Sequence, residues 1–377
     1  MNTEYGYSRR QLLAMCTVFF LAPALRLVPA GTAQLAGRAA WAAVPAALPV
    51  ILLYLWFLHA FLCRAGEGEG EGFAELTARA VPARLSRLLL IIYALWFLLY
   101  GGFMLRSGAD RIITTVYPNA SPHIFVFTMG ALGLIAALDS ARTLVRSACL
   151  FLPAVLGVLL LVLFFALFSI DKENLLPLTL HDAAGAAKGA VTVIDVAAAP
   201  AYMVCFITGL HAQKDGGLRL PFAWALGIVG LMTWLIADII GCFGAELAAR
   251  LSHPFFTLVK NLVFFRNLER VEALVVSLWV FSDFVVISLC LMSAQHCLRL
   301  AMGKRAHYAG ERALDMRSGR WVIWLCAGAC VACSLLIAPE PRALDFWSRY
   351  IIPGINLAFG FVLLPLVYLS GRIRKTL

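Results

Sequence analysis

Charge is scarce in this sequence. Asp, Glu, Lys and Arg make up 14% of its 377 residues, against 62% hydrophobic residues. A soluble domain carries roughly 25% charged and about 45–50% apolar residues. So little polar surface cannot coat a water-soluble globule of this size, and lipid is the solvent the composition calls for. Catalytic signatures are lacking too: no Gly-rich phosphate loop, zinc-ligand spacing or nucleophile elbow occurs. An enzyme is therefore not expected, nor a metal or organic cofactor. The net charge of +10 does not point to nucleic acid. Its basic residues fall in loops between apolar runs, the positive-inside pattern of membrane proteins. Ten cysteines are present, but Cys16, Cys149, Cys205, Cys242 and Cys290 sit within apolar segments, where cysteine acts as a small hydrophobe. That speaks against a disulfide framework. Cys326, Cys330 and Cys333 recur at i, i+4 and i+7, which suits small-residue helix packing.

What the sequence does have is long apolar runs. A membrane-spanning helix needs about 20 of them at 1.5 Å rise per residue. Ten candidates are found at 9–34, 41–62, 84–105, 121–138, 143–169, 190–212, 219–245, 270–298, 320–338 and 345–370. They use most of the chain, so one all-α integral membrane domain over 1–377 is expected. With the N-terminus in the cytoplasm, 19 lysines and arginines lie inside and 11 outside, Arg26 being the last of 31. This bias puts both termini in the cytoplasm, which an even number of spans requires. Ser8-Arg9-Arg10-Gln11-Leu12-Leu13 also resembles a twin-arginine signal, with Val28-Pro29-Ala30 as a cleavage site. The spans that follow favour a retained anchor. Residues 66–72 read GEGEGEG and suit a flexible, solvated cytoplasmic loop.

Many secondary transporters are two inverted repeats whose site lies where the first helix of each is interrupted. Ten spans divide as five plus five: repeat one over about 9–169, repeat two over about 190–338 with a last span at 345–370. Helices one and six are then the ones expected to be broken. Span one carries Pro23 and Pro29 around Arg26, and span six carries Pro200 after Ala197-Ala198-Ala199. Proline removes a backbone donor and clashes with the preceding turn. Arg26 lies deep in an apolar run, where a charge costs about 2.5–3.5 kcal/mol on insertion scales. It needs a ligand carboxylate, an intramembrane aspartate or water, or it stands in for a bound cation. Asp195, Asp238 and Asp283 are candidate proton carriers, with Asp195 nearer an end and open to solvation. Tyr93, Trp96 and Tyr100 recur at i, i+3 and i+7, a stripe that suits packing.

Three stretches resemble the spore germination permease family, the B subunits of nutrient germinant receptors within the amino acid–polyamine–organocation transporter group. The first is Ser8-Arg9-Arg10-Gln11 with Leu27-Val28-Pro29 and Ala36-Gly37-Arg38-Ala39-Ala40-Trp41. The second runs from Arg142 to Ile170-Asp171-Lys172-Glu173-Asn174-Leu175-Leu176-Pro177-Leu178. The third is Pro254-Phe255-Phe256, then Leu268-Glu269-Arg270-Val271-Glu272-Ala273 and Trp279. The resemblance implies a LeuT-like five-plus-five fold in the spore inner membrane. It implies a partnership with receptor A and C subunits and the sensing of a small nutrient, often an amino acid. It also implies a pocket between spans one, three, six and eight, at Ala24, Leu25, Arg26, Leu27, Tyr100, Ala199, Pro200, Tyr202 and Ser282. Asp283 and Asp238 are then the candidates for proton or ion coupling. The chain departs from its relatives in carrying Pro23 and Arg26 where glycines are usual, and no glycine beside Pro200. A ligand-sensing receptor subunit is the function expected. The alternatives are a proton-coupled amino-acid transporter of the same fold and a conduit or scaffold with a vestigial pocket.

Overall fold

The computed structural model describes residues 8–64, 72–176, 179, 182–206, 217–262, 271–303, 320–337 and 341–374. Residues 66–71 of the GEGEGEG stretch, the end of span six beyond residue 206, Pro177-Leu178 and Leu268-Glu269-Arg270 lie outside them. Among the described residues every regular element is helical. In hydrocarbon each backbone N–H and C=O must be satisfied within its own segment, and a helix does this without an edge.

The long helices are α1 (Arg9–Ala36), α2 (Ala40–Arg64), α4 (Ala83–Thr115), α5 (Pro122–Leu138), α6 (Ala141–Ala166), α7 (Asp182–Met203), α8 (Arg219–Arg250), α10 (Val271–Ala301), α11 (Arg320–Ile337) and α12 (Arg342–Ile373). Two short amphipathic helices, α3 (Phe73–Ala80) and α9 (Pro254–Asn261), interrupt the series. Each apolar run read from the sequence overlaps one long helix among the described residues. Among the described residues seven helical stretches are long and apolar enough to cross a membrane, the first (Arg9–Leu62) containing α1 and most of α2. The apolar helices at Pro122–Leu138 and Trp321–Ile337 are shorter. Ser8 caps α1 in a capping box with Gln11, and Ser140 caps α6. Both place a side-chain oxygen on an N–H that has no partner within the helix.

The helices sort into two blocks. α1, α2, α7 and α8 pack on one another, and so do α4, α5, α10 and α11. α6 leans on α1 and α10, and α12 packs along α7. α3 is pinned to the second block by Glu75, whose Oε1 lies 2.6 Å from His296 Nε2. α8 bends at Gly244, whose φ of +72° only glycine adopts freely. The bend aims residues 245–250 across the end of the first block.

The structure corrects two expectations. Helices one and six are not broken: α1 is helical through Pro23 and Pro29, and α7 through Pro200. Only beyond Met203 does α7 tighten to a 3-10 turn at Val204–Phe206. Donors from neighbouring helices reach the backbone around these prolines. Trp279 Nε1 donates to the Ala22 carbonyl at 3.1 Å, and the Cys16 thiol donates to the Pro200 carbonyl at 3.7 Å. These bonds tie α10 to α1 and α1 to α7 at the proline turns. Span three also does not end at Leu105. α4 continues to Thr115, and Arg106 and Arg111, counted from the sequence as outer-loop residues, are buried helical ones.

Close approach of α4 and α11 depends on Gly101 and Gly102. A Cβ on Gly102 would fall 2.8 Å from Cys333 Cβ and 2.9 Å from the Cys330 carbonyl. The cysteine stripe of α11 is therefore packed against a glycine pair, as small-residue helix contacts require. Gly102→Leu is expected to lower the melting temperature of the purified protein, since overpacking costs about 1–3 kcal/mol. Gly227→Leu, where nothing lies within 4 Å, is expected to leave melting unchanged.

Candidate functional site

Buried charge concentrates where the two blocks meet. Arg26 on α1 is 5% exposed. Its Nη1 donates to Ser107 Oγ on α4, and its Nη2 lies 4.0 Å from Asp345 Oδ1 on α12. One helical turn beyond Ser107, Arg111 donates to Asp283 Oδ2 on α10 at 2.7 Å. The Arg111 guanidinium also lies 4.1 Å from the Trp279 ring centroid, a cation–π contact. Arg111 is 1% and Asp283 0% exposed. Asp110 Oδ2 sits 3.7 Å from His253 Nε2. The helix ridge Ser107–Asp110–Arg111 thus carries the second block's polar contribution to the interface.

A cavity of about 430 Å³ opens beside this cluster, between the later turns of α1, the early turns of α7 and α12, and the bent end of α8. Its charged lining is Arg26, Lys188, Asp195, Arg250, Asp345 and Arg349. Four cations face two carboxylates, which favours a ligand with an anionic group. Its size falls in the range of about 300–1,000 Å³ typical of small-molecule sites. A smaller, apolar cavity of about 120 Å³ lies at the opposite ends of α1, α2, α7 and α8, walled by residues such as Cys16, Leu55 and Val204. Between the two, α1 and α7 are closely packed. Phe19 of α1 stacks on Tyr100 of α4, with centroids 6.1 Å apart and an interplanar angle of 7°.

A chain of buried hydrogen bonds leaves the cavity from Asp195. The Asn356 amide donates to Asp195 Oδ1 at 2.6 Å and to its carbonyl at 2.8 Å. Asn356 Oδ1 accepts from Tyr202 Oη at 2.8 Å, and Tyr202 Oη accepts from Trp96 Nε1 at 2.7 Å. The chain joins α7 and α12 to α4 of the other block.

The residues singled out from the sequence are therefore divided. Arg26 and Leu27 line the large cavity. Leu25 and Ser282 share a void of only about 20 Å³ with Trp279. Ala24, Ala199 and Pro200 are packing residues of α1 and α7. Tyr100 is held in the aromatic stack and Tyr202 in the hydrogen-bond chain. Asp283 is engaged by Arg111, so a resident cation already neutralises it. Asp238 is fully buried on α8. No hydrogen bond joins it to the other site residues among those described.

Sequence reasoning passed over Ser107, Arg111, Asp345 and Asn356, and kept Asp195 only as a proton-carrier candidate open to solvation, outside the implied pocket. Arg111 was missed because the span was closed at the first arginine. The small residues Ser107, Gly108 and Ala109 beyond it were the signal that the helix continued. Asn356 was a lone amide in an apolar run.

Removing one member of a buried ion pair strands the other charge, at about 3–5 kcal/mol. Arg111→Met alone is expected to lower the stability of the purified protein by about that much. Arg111→Met combined with Asp283→Leu should recover most of the loss. Melting curves of the two single variants and the double variant measure the coupling.

Comparison with known proteins agrees with this architecture. The family described as "Spore germination protein" matches residues 7–308. No curated protein matches. Among solved structures, the inward-facing conformation of Mhp1 aligns over 96% of this chain and 80% of its own, at 14% identity and a TM-score of 0.50. Mhp1 in a closed conformation with bromovinylhydantoin bound, described as a nucleobase-cation-symport-1 family transporter, aligns over 99% of this chain and 92% of its own at 12% identity and a TM-score of 0.47. At such identities the likeness speaks to the fold alone, which is the LeuT-type transporter fold. With that fold and a family match over most of its length, the chain belongs to the spore germination protein family of membrane permeases.

Proposed function

We propose that this chain is the membrane-embedded B-type subunit of a nutrient germinant receptor. On this reading it binds a small nutrient, an amino acid, in the cavity at Arg26 and signals through receptor A and C subunits in the spore inner membrane. The observation that carries the reading is the position of Arg26. It stands on the wall of a small-molecule-sized cavity while also touching the second block through Ser107. A ligand carboxylate on Arg26 is thus felt at the contact between the blocks. A ligand shifts a conformational equilibrium only by binding one state better than the other, and a residue shared by cavity and interface provides that difference. Asp345, 4.0 Å from Arg26 and half-exposed, is a partner that a ligand carboxylate can displace.

Ten spans with both termini in the cytoplasm, paired as five plus five, belong to the same proposal. Support comes from the two blocks, which combine helices one, two, six and seven, and three, four, eight and nine. Withdrawing Arg106 and Arg111 from the outer loops strengthens the inside bias of the remaining charges. The large cavity then faces away from the cytoplasm. Proton-coupled amino-acid transport is the second reading, favoured by the fold. The Arg111–Asp283 contact weighs against Asp283 as its carrier, which leaves Asp238.

Spores carrying Arg26→Gln at normal protein level are expected to need at least about tenfold more nutrient, as loss of a charge-assisted hydrogen bond implies. An unchanged dose response would remove the site. Concentrative amino-acid uptake by the purified chain in proteoliposomes would support the transporter instead.

A further inference from the structure

Asp195 lines the same cavity as Arg26 but from α7, and is only 3% exposed. Its carboxylate is held from behind by Asn356. Both donors of that amide are used, its nitrogen serving Asp195 twice, and its oxygen takes the Tyr202 hydroxyl. Asn356 also occupies an unusual stretch of helix. The α-helical residues Ile352–Leu357 lie between π-helical segments at Trp347–Ile351 and Ala358–Leu363. π segments interrupt the regular ladder and recur at functional positions. The last helix is therefore least tightly wound on either side of the residue that holds Asp195.

We infer that Asp195 is the second pole of the cavity, taking a ligand's protonated amine or other N–H donor, and that Asn356 is the positioning residue through which α12 responds to occupancy. The inference rests on the cavity being the nutrient site. Arg26 and Asp195 offer opposite charges from opposite helices, so the ligand class is a small molecule with an acid group and a donor group on one short frame. A donor that reaches Asp195 competes with the Asn356 amide for Oδ1. When Asn356 lets go, it also loses its hold on Tyr202, because a buried polar network is stable when every member is satisfied and costly when one is not. Tyr202 in turn carries the bond to Trp96 on α4. Engagement of Asp195 thus loosens a tie between the two blocks and frees α12 to shift between its π segments. Engagement of Arg26 loosens the other tie, at Ser107. A ligand lacking either group releases only one.

The test uses the purified full-length chain in lipid nanodiscs. Each of the twenty common L-amino acids is screened by thermal shift. The strongest responder then serves as probe, beside its deaminated acid and its decarboxylated amine. Asp195→Asn is expected to weaken the amino acid about tenfold or more and to leave the deaminated acid unaffected. Tyr202→Phe keeps the ring and removes the hydroxyl. It is expected to retain or tighten affinity, because the competing bond is weaker, and to abolish the ligand-induced change in hydrogen exchange over Ile352–Leu357. A purely structural Tyr202 would weaken binding and keep that change, which would overturn the inference. So would an Asp195→Asn variant of unchanged affinity while Arg26→Gln loses binding, and in that case the cavity remains the nutrient site. If neither variant alters binding, or no amino acid shifts melting, the inference and the site reading fall together.

Discussion

Buried guanidinium groups cannot stand alone among apolar helices, and the answer each receives organises this molecule. Arg111 is answered by Asp283 and the face of Trp279; Arg26 by Ser107 and, loosely, by Asp345. The two answers differ in kind. Arg111–Asp283 lies within the second block, is closed to solvent and acts as a fixed strut between α4 and α10. Trp279, stacked on that strut, also donates to the backbone of α1 beside Pro23. The strut therefore sets where α1 rests. Arg26, by contrast, bridges the blocks and looks into a cavity. One pair gives the interface its geometry, and the other makes that geometry open to a ligand.

Much of the fold was legible in the sequence because hydrocarbon imposes a simple rule. Apolar runs of sufficient length become helices, and every predicted run overlaps one among the described residues. The boundaries were less legible, since an arginine reads as the end of a span when in fact it has a partner. Arg106 and Arg111 extend α4 by ten residues past the predicted limit because Asp283, distant in sequence, supplies the counter-charge for Arg111. No local property of residues 106–111 contains that information. The broken helices failed for a related reason. Proline in span one and span six gives a true signal of missing backbone donors. Whether the helix unwinds depends on tertiary packing, and Trp279 and Cys16, each on another helix, anchor the backbone beside Pro23 and at Pro200.

The candidate site was half legible. Arg26 was found because a charge in an apolar run is conspicuous, and Leu27 came with it from the family resemblance. Tyr100, Ala199, Pro200, Tyr202 and Ser282 came from the resemblance to a family whose pocket lies between spans one, three, six and eight. Here that space is filled by the Phe19–Tyr100 stack and by the contact of Cys16 with Pro200, and the open volume lies further along α1, towards α12. Asn356 and Asp345 belong to the last helix, which the five-plus-five argument leaves on the periphery. Their part in the site arises from tertiary packing of α12 along α7, and no repeat pattern announces it.

A chain that relays a signal needs something that a packed core does not: polar contacts that are satisfied in one arrangement and exchangeable in another. The contacts in and around the interface of the blocks fall into two groups by this criterion. Phe19 on Tyr100 and Trp279 on Arg111 are apolar or shielded contacts, and no group within the cavity competes for them. Ser107 on Arg26 and Asn356 on Asp195 are polar contacts whose cavity-side partner is also a ligand-accessible charge. The exchangeable pair sits at the cavity end of the interface and the fixed pair deeper in. An interface built this way can open at one end without coming apart. That combination suits a receptor, which must return to its starting state, and it suits a transporter for the same physical reason. The fold does not decide between them. What weighs towards the proposed receptor is that Asp283 is paired with Arg111, so that proton carriage would fall to Asp238, which does not line the cavity.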